Sequence, residues 1–174
     1  ARDPQTGQMG VAVQSHWFST GSMVTWGEAG VGVVATQSMV EVSYGPLGLN
    51  GMRKDIPPKQ ILSDLLAKDE GRELRQVAMV DANGNVAAHT GARCIREAGH
   101  KSGEQFSAQA NMMLKNTVWA AMADAFKASK GELSERLMLA LEAAQQEGGD
   151  IRGKQSAAML VVDVKKRAHP WQGI

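Results

Sequence analysis

Two short runs constrain this chain more than anything else in it. Val31-Gly32-Val33-Val34-Ala35 and Met159-Leu160-Val161-Val162 carry no polar side chain on either face. A strand that alternates apolar and polar residues can leave one face in water, but a strand apolar on both faces must be covered on both. Stacked layers are therefore required. A period of two marks further strands. Val11, Val13 and Ser15 alternate with Ala12, Gln14 and His16. Met23 to Trp26 and Val31 to Thr36 flank a turn at Gly27 and Gly30. Val77 to Asp81 and Val86 to His89 flank Asn83-Gly84, a strong hairpin signal. Phe106 to Asn111 and Ala157 to Val164 complete the strands.

Helical stripes fall between these strand groups. Ile61, Leu62, Leu65 and Leu66 follow the helix-starting Pro57-Pro58. Val118, Met122 and Phe126 follow a capping Asn116, and Gly131 breaks that helix. Leu133, Leu137 and Leu141 mark another, stopped at Gly148-Gly149. Strand pairs followed by helix pairs do not suit a doubly wound parallel sheet, which places single helices between strands. They suit an α+β fold of two antiparallel sheets stacked face to face with a helical layer outside each, a four-layer αββα sandwich. With no repeat or linker, residues 1–174 read as one domain. Asp3-Pro4-Gln5-Thr6-Gly7 has hairpin-turn chemistry, yet only Ala1 and Arg2 precede it, and Trp171 to Ile174 reads as the opening of a strand. The expectation is a domain lacking its first strand and its last strand.

Composition excludes several function classes. With 19 Lys+Arg against 18 Asp+Glu the net charge is +1, which leaves no electrostatic footprint for nucleic acid. No apolar run reaches the roughly 18 residues of a membrane span. The single Cys94 excludes an internal disulfide and fits a reducing, cytoplasmic setting. His16, His89, His100 and His169 form no metal-ligand spacing with one another or with Cys94, so neither metal nor cofactor is expected.

The densest cluster of unusual residues is Gly148-Gly149-Asp150-Ile151-Arg152-Gly153-Lys154-Gln155-Ser156. It nearly spells a phosphate-binding loop. However, Gln155 displaces the hydroxyl, and the segment runs from a helix end into a strand, the reverse of what places a helix N-terminus against phosphates. A helix stop held by an Asp150–Arg152 pair and a functional loop are both open readings. Gly30-x-Gly32-x-x-Ala35 mimics a dinucleotide fingerprint but lies within a strand and opens no helix. Thr36-Gln37-Ser38 ends that strand with polar groups that need partners from the protein or a ligand. His89, beside Thr90 at a strand end, is a candidate general base. Ser15 and His16 point to opposite faces of their strand and do not couple. Cys94 lies near Arg93 and Arg96, and a small buried residue is the simpler account of it.

A succession of blocks then carries a family resemblance: Asp3-Pro4…Thr6-Gly7, Gly10-Val11-Ala12-Val13-Gln14-Ser15, Ala29-Gly30-Val31-Gly32, Ala35-Thr36-Gln37, Tyr44-Gly45-Pro46, Arg75-Gln76-Val77, His89-Thr90-Gly91, Ala98-Gly99-His100, Asn111-Met112, and Gly148-Gly149-Asp150-x-Arg152-Gly153-x-Gln155-Ser156-Ala157-Ala158. In order and spacing these resemble the family catalogued as domain of unknown function 1028, from Ala1 to Trp171. That family resembles the N-terminal-nucleophile (Ntn) hydrolases in fold, which implies the αββα sandwich. Enzymes of that superfamily attack amide bonds with the side chain of a first-residue Thr, Ser or Cys, whose own α-amine is the base. Ala1 offers no such side chain, and the nucleophile is expected from residues preceding it.

The functional expectation is an Ntn-type hydrolase acting on an amide or related C–N bond of a small metabolite. The alternatives are a non-catalytic ligand-binding or scaffold domain of the same fold and a hydrolase using Ser15 or Ser156 internally. The candidate catalytic-side residues are Ser15, Thr36, Gln37, His89 and Asn111, with Asn111 and backbone amides holding an oxyanion. Tyr44, Asp150, Arg152, Gln155 and Ser156 are the candidate substrate-binding residues. The expected partners are a small-molecule ligand and a second copy, since open sheet edges invite pairing into a bacterial-type homodimer. Nucleic acid and membrane are not expected partners.

Overall fold

In the computed structural model, which describes all residues 1–174, Gly32–Ala35 lie in a strand buried on both faces, whereas Met159–Val162 form a strand in which only Val162 is fully buried and the rest are half-buried. The fold is mixed α+β with several antiparallel sheets and five helices. The elements in chain order are β1 (Met9–Ser15), α1 (Gly21–Val24), β2 (Thr25–Glu28), β3 (Gly32–Ser38), α2 (Tyr44–Arg53), α3 (Pro58–Lys68), β4 (Arg75–Asp81), β5 (Val86–Thr90), β6 (Gly99–Gly103), β7 (Phe106–Ala110), α4 (Val118–Ala128), α5 (Leu133–Glu147) and β8 (Ser156–Val162). Strands β2-β3-β4-β5 form a four-stranded sheet, β1 pairs with β8, and β6 pairs with β7, all antiparallel.

Alternation along β3 divides the core. Val34 turns to one face with Val77 and Met79 and packs under Tyr44, Leu49 and Met52 of α2 and Ile61 and Leu62 of α3. Val33 and Ala35 turn to the other face and meet Val11 and Val13 of β1 and Val162 of β8. A third cluster joins Phe106 and Ala108 of β7 to Ala123 and Phe126 of α4 and Leu133, Leu137 and Ala140 of α5. Ala12, Met159 and Val161 lie against that cluster, so α4 and α5 cover β1–β8 and β6–β7 from outside. No helix is long and apolar enough to cross a membrane.

Local chemistry explains most of the boundaries. Asp81 accepts from the backbone N–H of Asn83 (3.0 Å) and Asn85 (2.8 Å), which shapes the β4–β5 turn around Gly84 at φ +84°. Gly148, at φ +134°, ends α5. Asp3 accepts from Gln5 N (2.7 Å) and Thr6 N (3.2 Å), so the Asp3–Gly7 turn forms as its residues dictate.

Several elements depart from the sequence reading. The Met23–Trp26 strand is instead one helical turn to Val24 followed by β2 from Thr25. Thr25 Oγ1 donates back to Gly21 O (2.9 Å) and Trp26 Nε1 to Met23 O (3.0 Å), which hold the turn. Asn116 does not cap α4. Thr117 takes the capping position, and its hydroxyl donates to Glu147 Oε1 (2.7 Å). Trp171 to Ile174 forms no strand: the Trp171 ring stacks on His169, and Asp163 N donates to Gly173 O (2.8 Å). Helix α2 carries no sequence signal because Gly45, Pro46, Gly48 and Gly51 are poor helix formers. Its glycines serve close approach instead, since a Cβ on Gly45 would stand 2.3 Å from the Trp26 ring.

Candidate functional site

Four chain segments converge on one polar cavity. The end of β1 brings Ser15, the end of β3 brings Gln37, the residue after β7 is Asn111, and the stop after α5 leads to Asp150 and Arg152. All five line the cavity, together with Gln14, Gln109 and Gln145. Its volume is about 70 Å³. It continues into an apolar cavity of about 80 Å³ lined by Gly10, Val11 and Ala12 on one side and Phe106 and Ala108 on the other. Together they form a slot between β1 and β7.

The backbone around this slot is open. Strand β1 is laddered to β8 along one edge. Along the other edge only Met9 and Gly10 find partners: Arg2 bridges Met9, and Ala1 and Gly10 exchange N–H···O bonds of 2.8 Å each way. Arg2 N donates to Gln105 O (2.8 Å), next to β7. Residues 1–3 thus enter the slot between β1 and the β6–β7 hairpin and pair with both sides.

At the polar end the charges are matched. Arg152 grips Asp150 through Nε (3.0 Å) and Nη2 (2.7 Å), and the Arg152 backbone N–H adds a third bond (2.9 Å). Burial opposes ionisation of Asp150, but the Arg152 hydrogen bonds and charge outweigh it, so the carboxyl lies below its ordinary value. Met113 bridges Asp150 in β fashion, and Leu114 N donates to Gly149 O (2.9 Å), which tie the loop to the end of β7.

Gln76 is the residue that sequence reasoning missed. It stands opposite Gln37 in the β3–β4 register and is almost fully enclosed. Its Nε2 reaches Ala110 O (2.8 Å), Gly99 O (3.2 Å) and Thr90 Oγ1 (3.0 Å), and its Oε1 accepts from Asn111 Nδ2 (3.0 Å). Thr90 Oγ1 in turn meets His100 Nδ1 (2.9 Å). Burial, and secondarily His89, lowers the His100 pKa below its ordinary value, which favours the neutral ring. One amide therefore joins β4 to β5, β6 and β7 and holds Asn111 at the cavity wall. Its sequence signal is slight, a Gln between Arg75 and the apolar run Val77–Val80 within the Arg75-Gln76-Val77 block of the family resemblance, and it acquires meaning once the register sets it against Gln37.

The remaining candidates lie elsewhere. Thr36 points to the α2 face, fully buried, with its hydroxyl donating to Glu41 O (3.2 Å). Tyr44 donates to Asp69 Oδ2 (3.1 Å), itself paired with Arg75, in a buried knot between α2 and β4. His89 meets Arg72 O through Nε2 (2.8 Å). Gln155 is exposed, and its backbone N–H donates to Ser15 O (3.3 Å). Ser156, opposite Ser15 in the ladder, donates to Trp17 O (2.7 Å) and accepts from Thr20 N (3.0 Å), holding the loop after β1. No group of three His, Cys, Asp or Glu side chains stands where it could hold a metal.

The family model described as "Family of unknown function (DUF1028)" matches residues 1–174. The chain belongs to the DUF1028 family. A crystal structure of protein SPO2555 from Silicibacter pomeroyi, assigned to the same family, superposes with a TM-score of 0.88 at 34% sequence identity. The match covers 94% of this chain and 71% of that one. No curated protein matches the chain.

Two measurements probe the site of this DUF1028 protein. Gln76→Leu leaves the Gly99 and Ala110 carbonyls and Asn111 Nδ2 without their partner, at about 1–3 kcal/mol per orphaned buried group. Urea unfolding is expected to show a loss of at least about 2 kcal/mol, and an unchanged midpoint contradicts the hub. The depressed Asp150 pKa stabilises the fold fully above the ordinary value of 3.8, and that contribution disappears as pH falls through the lower folded value. The stability gap between wild type and Asp150→Asn is thus largest near neutrality and closes in acid. A gap that widens in acid contradicts the pairing.

Proposed function

We propose that this domain is an Ntn-type hydrolase of a small amide or related C–N compound, with the four-layer αββα sandwich of that superfamily. The observation that carries the reading is the slot. Continuing the Arg2–Met9 register backward, a strand ahead of Ala1 runs antiparallel to both β1 and β7, and the residue about five positions ahead of Ala1 falls opposite Ser15. A Ser, Thr or Cys near that point, freed at its amine, would stand beside Ser15, Gln37, Asn111 and the Asp150–Arg152 pair.

The chemistry follows from that placement. The free α-amine takes the proton of the hydroxyl or thiol as the oxygen or sulfur attacks the amide carbon, and returns it to the departing amine. The Gln37 side-chain amide, whose Nε2 has no protein partner, donates to the oxyanion as it forms. Water then cleaves the acyl-enzyme. The apolar stretch of the slot takes the strand itself, and its polar end is left for the ligand.

The test uses the chain extended by its preceding residues, with intact mass and N-terminal sequencing to identify the mature first residue. A panel of small amides, imides and lactams is expected to yield at least one substrate, and changing a first-residue Ser, Thr or Cys to Ala is expected to abolish turnover. A protein that binds panel members without consuming them, despite a confirmed N-terminal nucleophile, is a binding domain and contradicts the reading.

A further inference from the structure

The side-chain amides of the polar cavity are oriented by one fixed point. The backbone carbonyls of Gly99 and Ala110 can only accept, so the Gln76 group facing them is the Nε2 amine, and Oε1 is turned to Asn111. Asn111 must answer with Nδ2, as it does at 3.0 Å. The second Nδ2 hydrogen lies toward Gln37 Oε1 at 3.4 Å. Two polar atoms of this relay are left without a protein partner: Asn111 Oδ1, an acceptor, and Gln37 Nε2, a donor. This reverses the part Asn111 was expected to play, because its N–H groups face the protein and its carbonyl faces the cavity.

The charge of the surroundings narrows the choice of ligand. Gln14, Gln37, Gln109, Asn111 and Gln145 give the cavity five carboxamides, and its only charges are Asp150 and Arg152, which neutralise each other. A ligand group with net charge would lose its hydration here and gain no countercharge. A group holding a carbonyl beside an N–H fits without that loss.

We propose that this cavity recognises an uncharged carboxamide or ureido group, whose N–H donates to Asn111 Oδ1 and whose carbonyl accepts from Gln37 Nε2. Gln76 is the positioning residue that fixes both orientations. The inference rests on the functional reading above only in taking this cavity as the ligand site, and it holds whether or not a bond is then cut.

Succinamide and succinate share a carbon skeleton and differ in having two amides or two carboxylates, so they separate the outcomes. In titrations followed by ¹H–¹⁵N NMR at pH 7, succinamide is expected to give saturable shifts of the Asn111 and Gln37 side-chain NH₂ signals. Succinate is expected to give none within the millimolar range usual for so small a ligand. Gln37→Met keeps the side-chain length and removes the donor. It is expected to weaken succinamide binding by about tenfold, as for a lost hydrogen bond, with the rest of the backbone spectrum intact. Equal or tighter binding of succinate, no saturable shift with either compound, or unchanged succinamide affinity in Gln37→Met each overturns the proposal. Succinamide that binds at these signals but is never hydrolysed counts against hydrolysis of that compound and leaves the recognition standing.

Discussion

A buried amide holds this site together. Gln76 satisfies carbonyls at the start of β6 and the end of β7, and its other end holds Asn111. Thr90 and His100 also join the four-stranded sheet to the β6–β7 hairpin, but that contact and apolar packing do not fix the direction of Asn111, as the Gln76 tie does. With it, β7 is held opposite β1 with a slot between them. A buried polar group left unpaired is costly, so a network of this kind is stable only when every member is satisfied. Gln76, on β4, meets that condition by drawing on three other strands, β5, β6 and β7. The groups left over at its margin, on Gln37 and Asn111, are those that face the cavity.

The slot is the counterpart of that tie. The doubly apolar β3 is covered on one face by α2 and α3 and on the other by β1 and β8, and α4 and α5 pack against β7 and the partly buried β8. Strand β1 has one paired edge and one edge paired only at Met9 and Gly10. Unpaired backbone between covered faces is unfavourable, and a strand continuing the course of residues 1–3 would satisfy it. The polar cavity lies at the far end of that course. Position, open backbone and polar lining thus point to the same place by separate physical arguments.

Much of the fold was legible in the sequence because period and turn chemistry are local. The Asn83-Gly84 hairpin, the Leu133–Leu141 stripe and the Gly148-Gly149 stop each announce themselves within a few residues. Helix α2 was not legible, since its glycines serve contacts with Trp26, Val34 and Met79 that lie far away in sequence. Strand β6, Gly-His-Lys-Ser-Gly, carries no apolar alternation and so no strand signal of its own, and is a strand because β7 pairs with it. The site divides in the same way. Asp150 and Arg152 form a cluster visible in the sequence, and Ser15, Gln37 and Asn111 stand at strand ends where a pocket is natural. Thr36 is adjacent to Gln37 and looked equivalent, but the strand turns it to the opposite face. Gln76 could not be recognised, because a lone glutamine has no function until the register gives it partners.

Amide hydrogen exchange in β1 reports whether a strand fills the slot. The Gly10 N–H faces Ala1, so by alternation the N–H groups of Ala12 and Gln14 face the slot, while those of Val11 and Val13 face β8. In the protein carrying its residues ahead of Ala1, the account predicts that Ala12 and Gln14 exchange as slowly as Val11 and Val13. Fast exchange at Ala12 and Gln14 beside slow exchange at Val11 and Val13 in that protein would mean that no strand fills the slot, and would contradict it.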